Sequence, residues 1–188
     1  MKALIIGAAG FVGGYLIREL KAAGWEVHAT CLPNENINEE CSVHHLDILK
    51  KEAIPPLLDD IKPDVVYHLA AQSSVSVSWK RPQLTAEVNV IGSINVLESV
   101  RDAEKKDIRL ILIGSGEEYG YIREGACPLS ESEPLNPGNI YAATKACQGI
   151  QAPRRKGQKR HCLQRGKRKS CGDTVHSRYR PVIWEAPH

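Results

Sequence analysis

No apolar run in these 188 residues approaches the roughly 20 that a membrane span requires, and no charged-then-apolar leader precedes the first strand-like segment. A cytoplasmic protein is the expectation, with no membrane partner. The six cysteines, Cys31, Cys41, Cys127, Cys147, Cys162 and Cys171, include no C-x-x-C pair, so ordinary reduced thiols are expected rather than a disulfide framework. His161, Cys162, Cys171 and His176 match no standard zinc spacing, and the neighbours His44 and His45 point to opposite faces of one strand. No metal site is therefore expected. The length suits one domain with a real core. Charge is uneven: residues 1–150 carry 14 Lys/Arg against 20 Asp/Glu, a net of −6, whereas residues 151–188 carry 11 against 2, a net of +9. The overall +3 conceals two segments of opposite character.

What is present begins at the N-terminus. Ala3 to Ile6 form a short apolar run that ends directly in Gly7, which predicts a buried parallel strand. From Phe11, the apolar positions Val12, Leu16, Ile17, Leu20 and Ala23 return at helical spacing until Gly24 stops the pattern. The order strand, Gly7-x-x-Gly10-x-x-Gly13, helix is the one a dinucleotide needs. Gly7 allows a tight turn, Gly10 lets backbone approach a pyrophosphate, and Gly13 lets the helix pack closely. The helix start at Phe11 and Val12 offers N–H groups and a positive dipole end.

Further strands are predicted at Trp25–Cys31, Ser42–Leu46, Asp64–Ala71 and Ile108–Ile113, with a long amphipathic helix over Pro82–Arg101. This alternation implies right-handed crossovers and a doubly wound parallel sheet of Rossmann type. Ligands of such sheets lie outside the carboxyl ends of the strands. Gly7, Asp47, Ala71, Ser115 and Tyr141 all fall at or after such ends. In Tyr141-Ala-Ala-Thr-Lys145 the Tyr and Lys share a helix face, so the ammonium can lower the phenol's pKa and let it exchange a proton near neutral pH. His68, at the end of a buried strand, reads as a satisfied core imidazole.

Taken in order, these motifs resemble the extended short-chain dehydrogenase/reductase family, in its branch acting on nucleotide sugars. Gly7-Ala-Ala-Gly-Phe-Val-Gly13 is similar to the family's cofactor loop, and Asp47-Ile48 to its adenine-contacting pair, although an Asp before Ile48 also suits a helix N-cap. His68-Leu-Ala-Ala-Gln-Ser-Ser74, with Leu69, Ala70 and Ala71, resembles the segment lining the cofactor. Asn89-Val-Ile-Gly-Ser-Ile-Asn-Val-Leu97 resembles the helix that follows, and Gly114-Ser-Gly-Glu-Glu-Tyr-Gly120 and Tyr141–Lys145 resemble the two catalytic segments. Within the branch, enzymes of GDP-deoxyhexose synthesis look most alike, namely the 4-keto-6-deoxymannose reductases and the GDP-mannose 4,6-dehydratases. The reductases are favoured.

The resemblance implies hydride delivery to a sugar C4 ketone. Tyr141 would give the oxygen its proton, Ser115 would hydrogen-bond the same oxygen, and Lys145 would hold the nicotinamide ribose. In the dehydratases a Glu at the position of Glu117 removes the C5 proton. Glycine at 116, where some sugar dehydratases carry an acid, favours simple reduction, and Glu117 and Glu118 also read as solvated loop carboxylates. Thr30-Cys-Leu-Pro33, after the second strand, has neither the acid that binds an NAD ribose nor an Arg for a 2′-phosphate, which favours NADP(H) and leaves NAD(H) open. The family also implies a nucleotide-sugar substrate, GDP-linked, and a homodimer through the helices at 82–101 and 139–150.

The resemblance covers residues 1–150, the expected cofactor domain, and stops there. Ile150-Gln-Ala-Pro153 breaks the helix, and Arg154-Arg-Lys-Gly-Gln-Lys-Arg160 and Arg165-Gly-Lys-Arg-Lys169 follow with almost no periodicity. Residues 151–188 are expected to be a basic, disordered or aberrant tail, the chain being truncated before most of its substrate lobe. A basic arm for an acidic partner is the competing reading. Nucleic acid is not the expected partner, since only Tyr179 and Trp184 could stack on bases. A non-catalytic cofactor-binding protein is the alternative from another class.

Overall fold

The computed structural model describes residues 1–121, 129–130, 132–151 and 181–185. Among the described residues five strands run parallel, β1 Lys2–Ile6, β2 Glu26–Cys31, β3 Ser42–His45, β4 Val65–His68 and β5 Arg109–Ile113, and a sixth, β6 Pro181–Glu185, pairs antiparallel with β5. The sheet order is β3-β2-β1-β4-β5-β6. The chain thus moves outward from β1 to β3 and returns across β1 to β4, which creates a switch point between β1 and β4.

β1 shows why the first apolar run has no polar alternation. Leu4 and Ile6 belong to a cluster with Leu58, Val66, Val96, Leu110 and Leu112 on one face, while Ala3 and Ile5 join Ile17, Leu20, Val27 and Ala29 on the other. Both faces of the sheet are covered, and each fully buried Leu or Ile contributes about 1.5–3 kcal/mol. Helix α1, Phe11–Ala22, covers the second face, and Gly24 follows it at φ 78°. Helix α2, Ile54–Ile61, has no counterpart in the sequence reading. Its Pro55 and Pro56 both sit in the first turn, where a missing N–H is harmless, and Ile54, Leu58 and Ile61 are buried.

The helix predicted over 82–101 exists, interrupted by one π-helical turn. It is built from α4 Pro82–Ala86, a π-helical turn at Glu87–Ile91, and α5 Gly92–Asp102, with helical backbone angles across both junctions. The short α3, Val75–Lys80, precedes it, capped by the Ser74 hydroxyl, which accepts from the Val77 N–H at 3.3 Å. The strand predicted to reach Ala71 ends at His68. Helix α6, Ile140–Gln151, carries the Tyr/Lys motif and ends where the sequence predicts.

No element was expected beyond α6. Val182, Ile183 and Trp184 nevertheless stand opposite Leu112, Ile111 and Leu110 in the ladder, a run of strand-favouring residues embedded in a basic surround. The expectations for the basic stretch 152–180, including His161, Cys162, Cys171 and His176, lie outside the described residues. Among the described residues, no helix is long and apolar enough to cross a membrane.

Candidate active site

The turn between β1 and α1 separates the three glycines by function. Gly7 has φ 84°, and an added Cβ there would lie 2.5 Å from the Ala70 backbone nitrogen. Its N–H donates to the Thr30 hydroxyl at 3.2 Å, and Ala8 N–H donates to the Thr30 carbonyl at 2.7 Å, which fixes the turn against β2. An added Cβ on Gly13 would overlap the Ala8 carbonyl oxygen and come within 2.5 Å of its carbon. Close packing at Gly13 is therefore against the turn itself. Gly10 differs, because a Cβ there would meet only the Gly7 carbonyl oxygen, at 3.7 Å. It is the N-cap of α1, no side chain caps it, and the first turn holds no acid. Open space in front of uncapped N–H groups, at a positive helix end, suits an anionic pyrophosphate. Phe11 projects outward, 81% exposed, and its ring lies 5.5 Å from that of Tyr15.

Of the other expected cofactor contacts, Leu69 and Ala70 both donate their N–H to the Ile6 carbonyl at 2.9 Å, which holds the end of β4 against the end of β1. Ala70 is half-buried beside Gly7, and Ala71, next along the chain, is half-buried as well. Asp47 accepts from the Leu49 N–H at 3.0 Å and so forms a turn after β3. The Ile48 side chain is core: it packs against Gly92, and its carbonyl accepts from Asn95 Nδ2 at 2.9 Å.

The π-helical turn places Asn89, 1% exposed, at a junction absent from the sequence reading. Its Oδ1 accepts from the Gln72 N–H at 2.8 Å, and its Nδ2 donates to the Gln72 carbonyl at 3.1 Å and to the Thr144 hydroxyl at 3.0 Å. Thr144 in turn donates to the Tyr141 carbonyl at 2.8 Å. One buried amide thus ties the loop after β4 to the helix bearing Tyr141 and Lys145. The signal was present in Asn89-Val-Ile-Gly, although a buried Asn inside an apolar helix stripe reveals no partner.

After β5, residues 116–119 form a 3₁₀ turn packed against α6, and it separates the two adjacent carboxylates. Glu118 is buried, and its Oε1 accepts from the Ser115 N–H at 2.6 Å, closing a capping box. Glu117 remains half-exposed, and its Oε2 accepts from Asn139 Nδ2 at 2.9 Å. Asn139 also caps α6, its Oδ1 accepting from the Ala142 N–H at 2.8 Å. One side chain therefore starts the helix of Tyr141 and aims Glu117 beside it. The Ser115 hydroxyl accepts weakly from the Glu117 N–H at 3.3 Å, which occupies a lone pair and not its hydrogen.

Tyr141 and Lys145 are both buried, and Lys145 donates to the Gln148 side-chain carbonyl. Burial lowers the Lys145 pKa to about 8, the nearby Glu118 carboxylate opposing the shift. His68 Nε2 lies 3.0 Å from the Ser93 hydroxyl, which itself donates to the Asn89 carbonyl at 2.8 Å, so the imidazole is the donor. Its Nδ1 has no partner, so it is only half satisfied. Burial, with a contribution from Lys145, depresses its pKa to about 3 and keeps it neutral.

Residues 4–152 match the family model described as GDP-mannose 4,6 dehydratase. The chain belongs to that family. It is 32% identical over 160 residues to a GDP-mannose 4,6-dehydratase of Vibrio cholerae, an alignment that covers 77% of this chain and 42% of that protein. Among solved structures, it is similar to the Thermus thermophilus UDP-glucose 4-epimerase complexed with NAD, with TM-score 0.71, 31% identity, and coverage of 80% of this chain and 49% of that one. It is also similar to RMD of Pseudomonas aeruginosa complexed with NADPH, with TM-score 0.65, 28% identity, and coverage of 81% and 48%. The chain spans less than half the length of each of these relatives.

Proposed function

We propose that this chain is the dinucleotide-binding part of a nicotinamide-dependent enzyme that performs 4,6-dehydration of a GDP-linked hexose. The observation that carries the reading is the division of labour between the two adjacent carboxylates. Glu118 is spent on structure, whereas Glu117 is half-exposed and held beside the helix of Tyr141 and Lys145. The family match and the open cradle at Gly10 support it. Gly7, Gly10, Gly13 and the N–H groups of Phe11 and Val12 would hold the pyrophosphate, and Leu69, Ala70 and Ala71 would line the cofactor, with Asp47 and Ile48 at its adenine end.

A nicotinamide held by these residues would supply reversible hydride storage to the reaction. Tyr141 would remove the C4 hydroxyl proton as the ketone forms, while the Ser115 hydroxyl donates to the same oxygen. The Lys145 ammonium, close to its neutral-pH threshold in a buried site, would hold the nicotinamide ribose and stabilise the phenolate. Glu117 would take the C5 proton and pass it to the C6 hydroxyl, which leaves as water, and the proton that Tyr141 took from the C4 hydroxyl would be the one returned to C5. A hydride returned at C6 and a proton returned at C5 close the balance without net oxidation.

Reduction at C4 is the second reading, favoured on the sequence and supported by glycine at position 116. Two assays separate them. Incubation with GDP-mannose and oxidised cofactor, followed by mass spectrometry, should show loss of one water with no accumulation of reduced cofactor. Reduction would instead consume NADPH in the presence of the 4-keto-6-deoxy sugar. Because the chain spans 42% of its Vibrio cholerae relative, the same assays on residues 1–151 joined to that relative's C-terminal part distinguish missing substrate contacts from wrong chemistry. Failure of both assays in the chimera would refute the assignment. A homodimer through the helices at 82–101 and 139–150, where Ile91 is half-exposed, belongs to the same proposal and is tested by sedimentation.

A further inference from the structure

We infer that Glu39 and Arg18 decide whether the adenosine ribose may carry a phosphate, and that the pair favours the free hydroxyl, hence NAD(H) over NADP(H). This rests on the proposed dinucleotide site and deepens it. Topology determines which half of the cofactor lies where. β1 is flanked on one side by β4 and β5, whose ends lead to Ala70, Ser115 and the helix of Tyr141 and Lys145, and on the other by β2. A pyrophosphate at Gly10 therefore has its nicotinamide half toward β4 and β5 and its adenosine ribose toward β2.

On that side a cleft of about 300 Å³ opens between the start of α1, at Gly10, Gly14 and Arg18, and the loop 36–39 that follows β2. Glu39 reaches into it. Its Oε1 lies 3.1 Å from the position a Cβ would take on Gly14, and the same oxygen is paired with Arg18 Nη1. The guanidinium is held from below as well, 4.8 Å from the centre of the Tyr15 ring. The acid absent from Thr30-Cys-Leu-Pro33 is thus supplied from further along the chain, after the loop has folded back over α1.

Charge decides the direction of the preference. A ribose hydroxyl can donate to the Glu39 carboxylate while Arg18 stays in place, so every group keeps a partner. A 2′-phosphate brings nearly two negative charges, and to receive it Arg18 must leave Glu39, which then remains beside the phosphate as a like charge. The surroundings do not compensate. Glu35 accepts from the Leu32 N–H at 3.0 Å, and Lys21, the next cation along α1, is already bound to the Glu40 carbonyl at 2.5 Å. Residues 35–40 contribute three carboxylates against these two cations.

The test is titration of NADH and NADPH into the full 188-residue chain, read by nicotinamide fluorescence, for the wild type, Glu39→Gln, and Glu39→Gln combined with Arg18→Met. The wild type should bind NADH at least about tenfold more tightly than NADPH, the scale of one charge-assisted hydrogen bond. Glu39→Gln should move the ratio toward NADPH by about tenfold or more, and Arg18→Met should remove that gain. Both side chains lie at the surface, and thermal melts should be close to wild type. Wild-type preference for NADPH, or a ratio unmoved by Glu39→Gln with both nucleotides bound, overturns the role of the pair. If neither nucleotide binds the wild type, the dinucleotide site itself fails, and the inference with it.

Discussion

Replacing Gly10 by Asp should raise stability and abolish cofactor binding at once, because the two properties make opposite demands on the same N-cap. Gly10 has φ −72° and ψ 169°, an extended conformation open to any residue, and a Cβ would meet nothing closer than 3.7 Å. An Asp there could accept from the uncapped N–H groups of the first turn, a gain over glycine of a few tenths of a kcal/mol, with about 0.3–1 kcal/mol more from the dipole. For a chain of this size that corresponds to a melting temperature higher by about 1–4 °C. The same carboxylate would occupy the pyrophosphate position with a like charge, so NADH and NADPH affinity should fall by at least about a hundredfold. Gly13→Ala supplies the contrast. Its methyl would overlap a backbone carbonyl that cannot swing away, and overpacking of that kind costs about 1–3 kcal/mol, a loss of roughly 2–12 °C. Differential scanning fluorimetry and fluorescence titration on the three proteins decide the matter. An Asp variant that still binds either cofactor at wild-type strength, or an Ala variant that melts with the wild type, would falsify the reading of the turn.

The adjacent carboxylates should separate just as sharply. Glu118→Ala leaves the buried Ser115 N–H without its acceptor and should cost about 1–3 kcal/mol in urea unfolding, while Glu117→Gln should stay within about 0.5 kcal/mol and act only on turnover in the chimera. Lys145 has a folded pKa of about 8 against an ordinary 10.5, so the folded state loses its proton first, and stability should rise with pH between those values by up to about 3 kcal/mol. The difference between wild type and Lys145→Met across that window isolates the effect, since lost packing is pH-independent, and a flat difference would refute it. His68, depressed to about 3, leaves the folded state short of a proton that the unfolded chain binds below its ordinary 6.5. Stability should therefore fall as pH drops from 6.5 toward 3, with this group contributing a slope approaching 1.4 kcal/mol per unit, about the linkage limit, and His68→Gln should flatten it.

The parts of the fold legible in the sequence are those whose cause is local. Five parallel strands and helices α1 and α6 follow from apolar runs, helical spacing and glycine stops, all within a few residues of one another. What the sequence reading missed is set by contacts between distant residues. Pro55-Pro56 sits in the first turn of a helix of only eight residues, and what makes that helix is the burial of Ile54, Leu58 and Ile61 in a core shared with β1, β4, α5 and β5. Asn89 is an unremarkable polar residue until the π-helical turn points it at Gln72 and Thr144, 17 and 55 positions away. Glu118 is the exception: it stands three residues after Ser115, the spacing of a capping box, a local signal the sequence reading passed over, whereas the aim of Glu117 depends on Asn139, 22 positions away at the start of α6.

That distribution explains how a chain shorter than half its relatives still builds the cofactor side of a site. Every restraint on α6 identified among the described residues comes from the same unit. Asn139 caps the helix and ties it to Glu117, Asn89 fixes Thr144, and Glu118 places a negative charge beside Lys145. None of these contacts requires a substrate lobe. Among the described residues the helix is therefore held by this unit alone, with Tyr141 and Lys145, the residues proposed above to act on the sugar, buried in it. If that is correct, the effect of Asn89→Ala should reach beyond its own position to α6 and the loop after β4. It leaves the half-buried Gln72 N–H and carbonyl without their partner and takes a donor from the buried Thr144 hydroxyl, which keeps its own bond to the Tyr141 carbonyl, a loss of about 1–3 kcal/mol. Amide exchange should then accelerate in α6 and the loop after β4 while β1 and β2 keep their protection. Uniform loosening of the whole sheet, or none of α6, would show that the helix is held by something other than this amide.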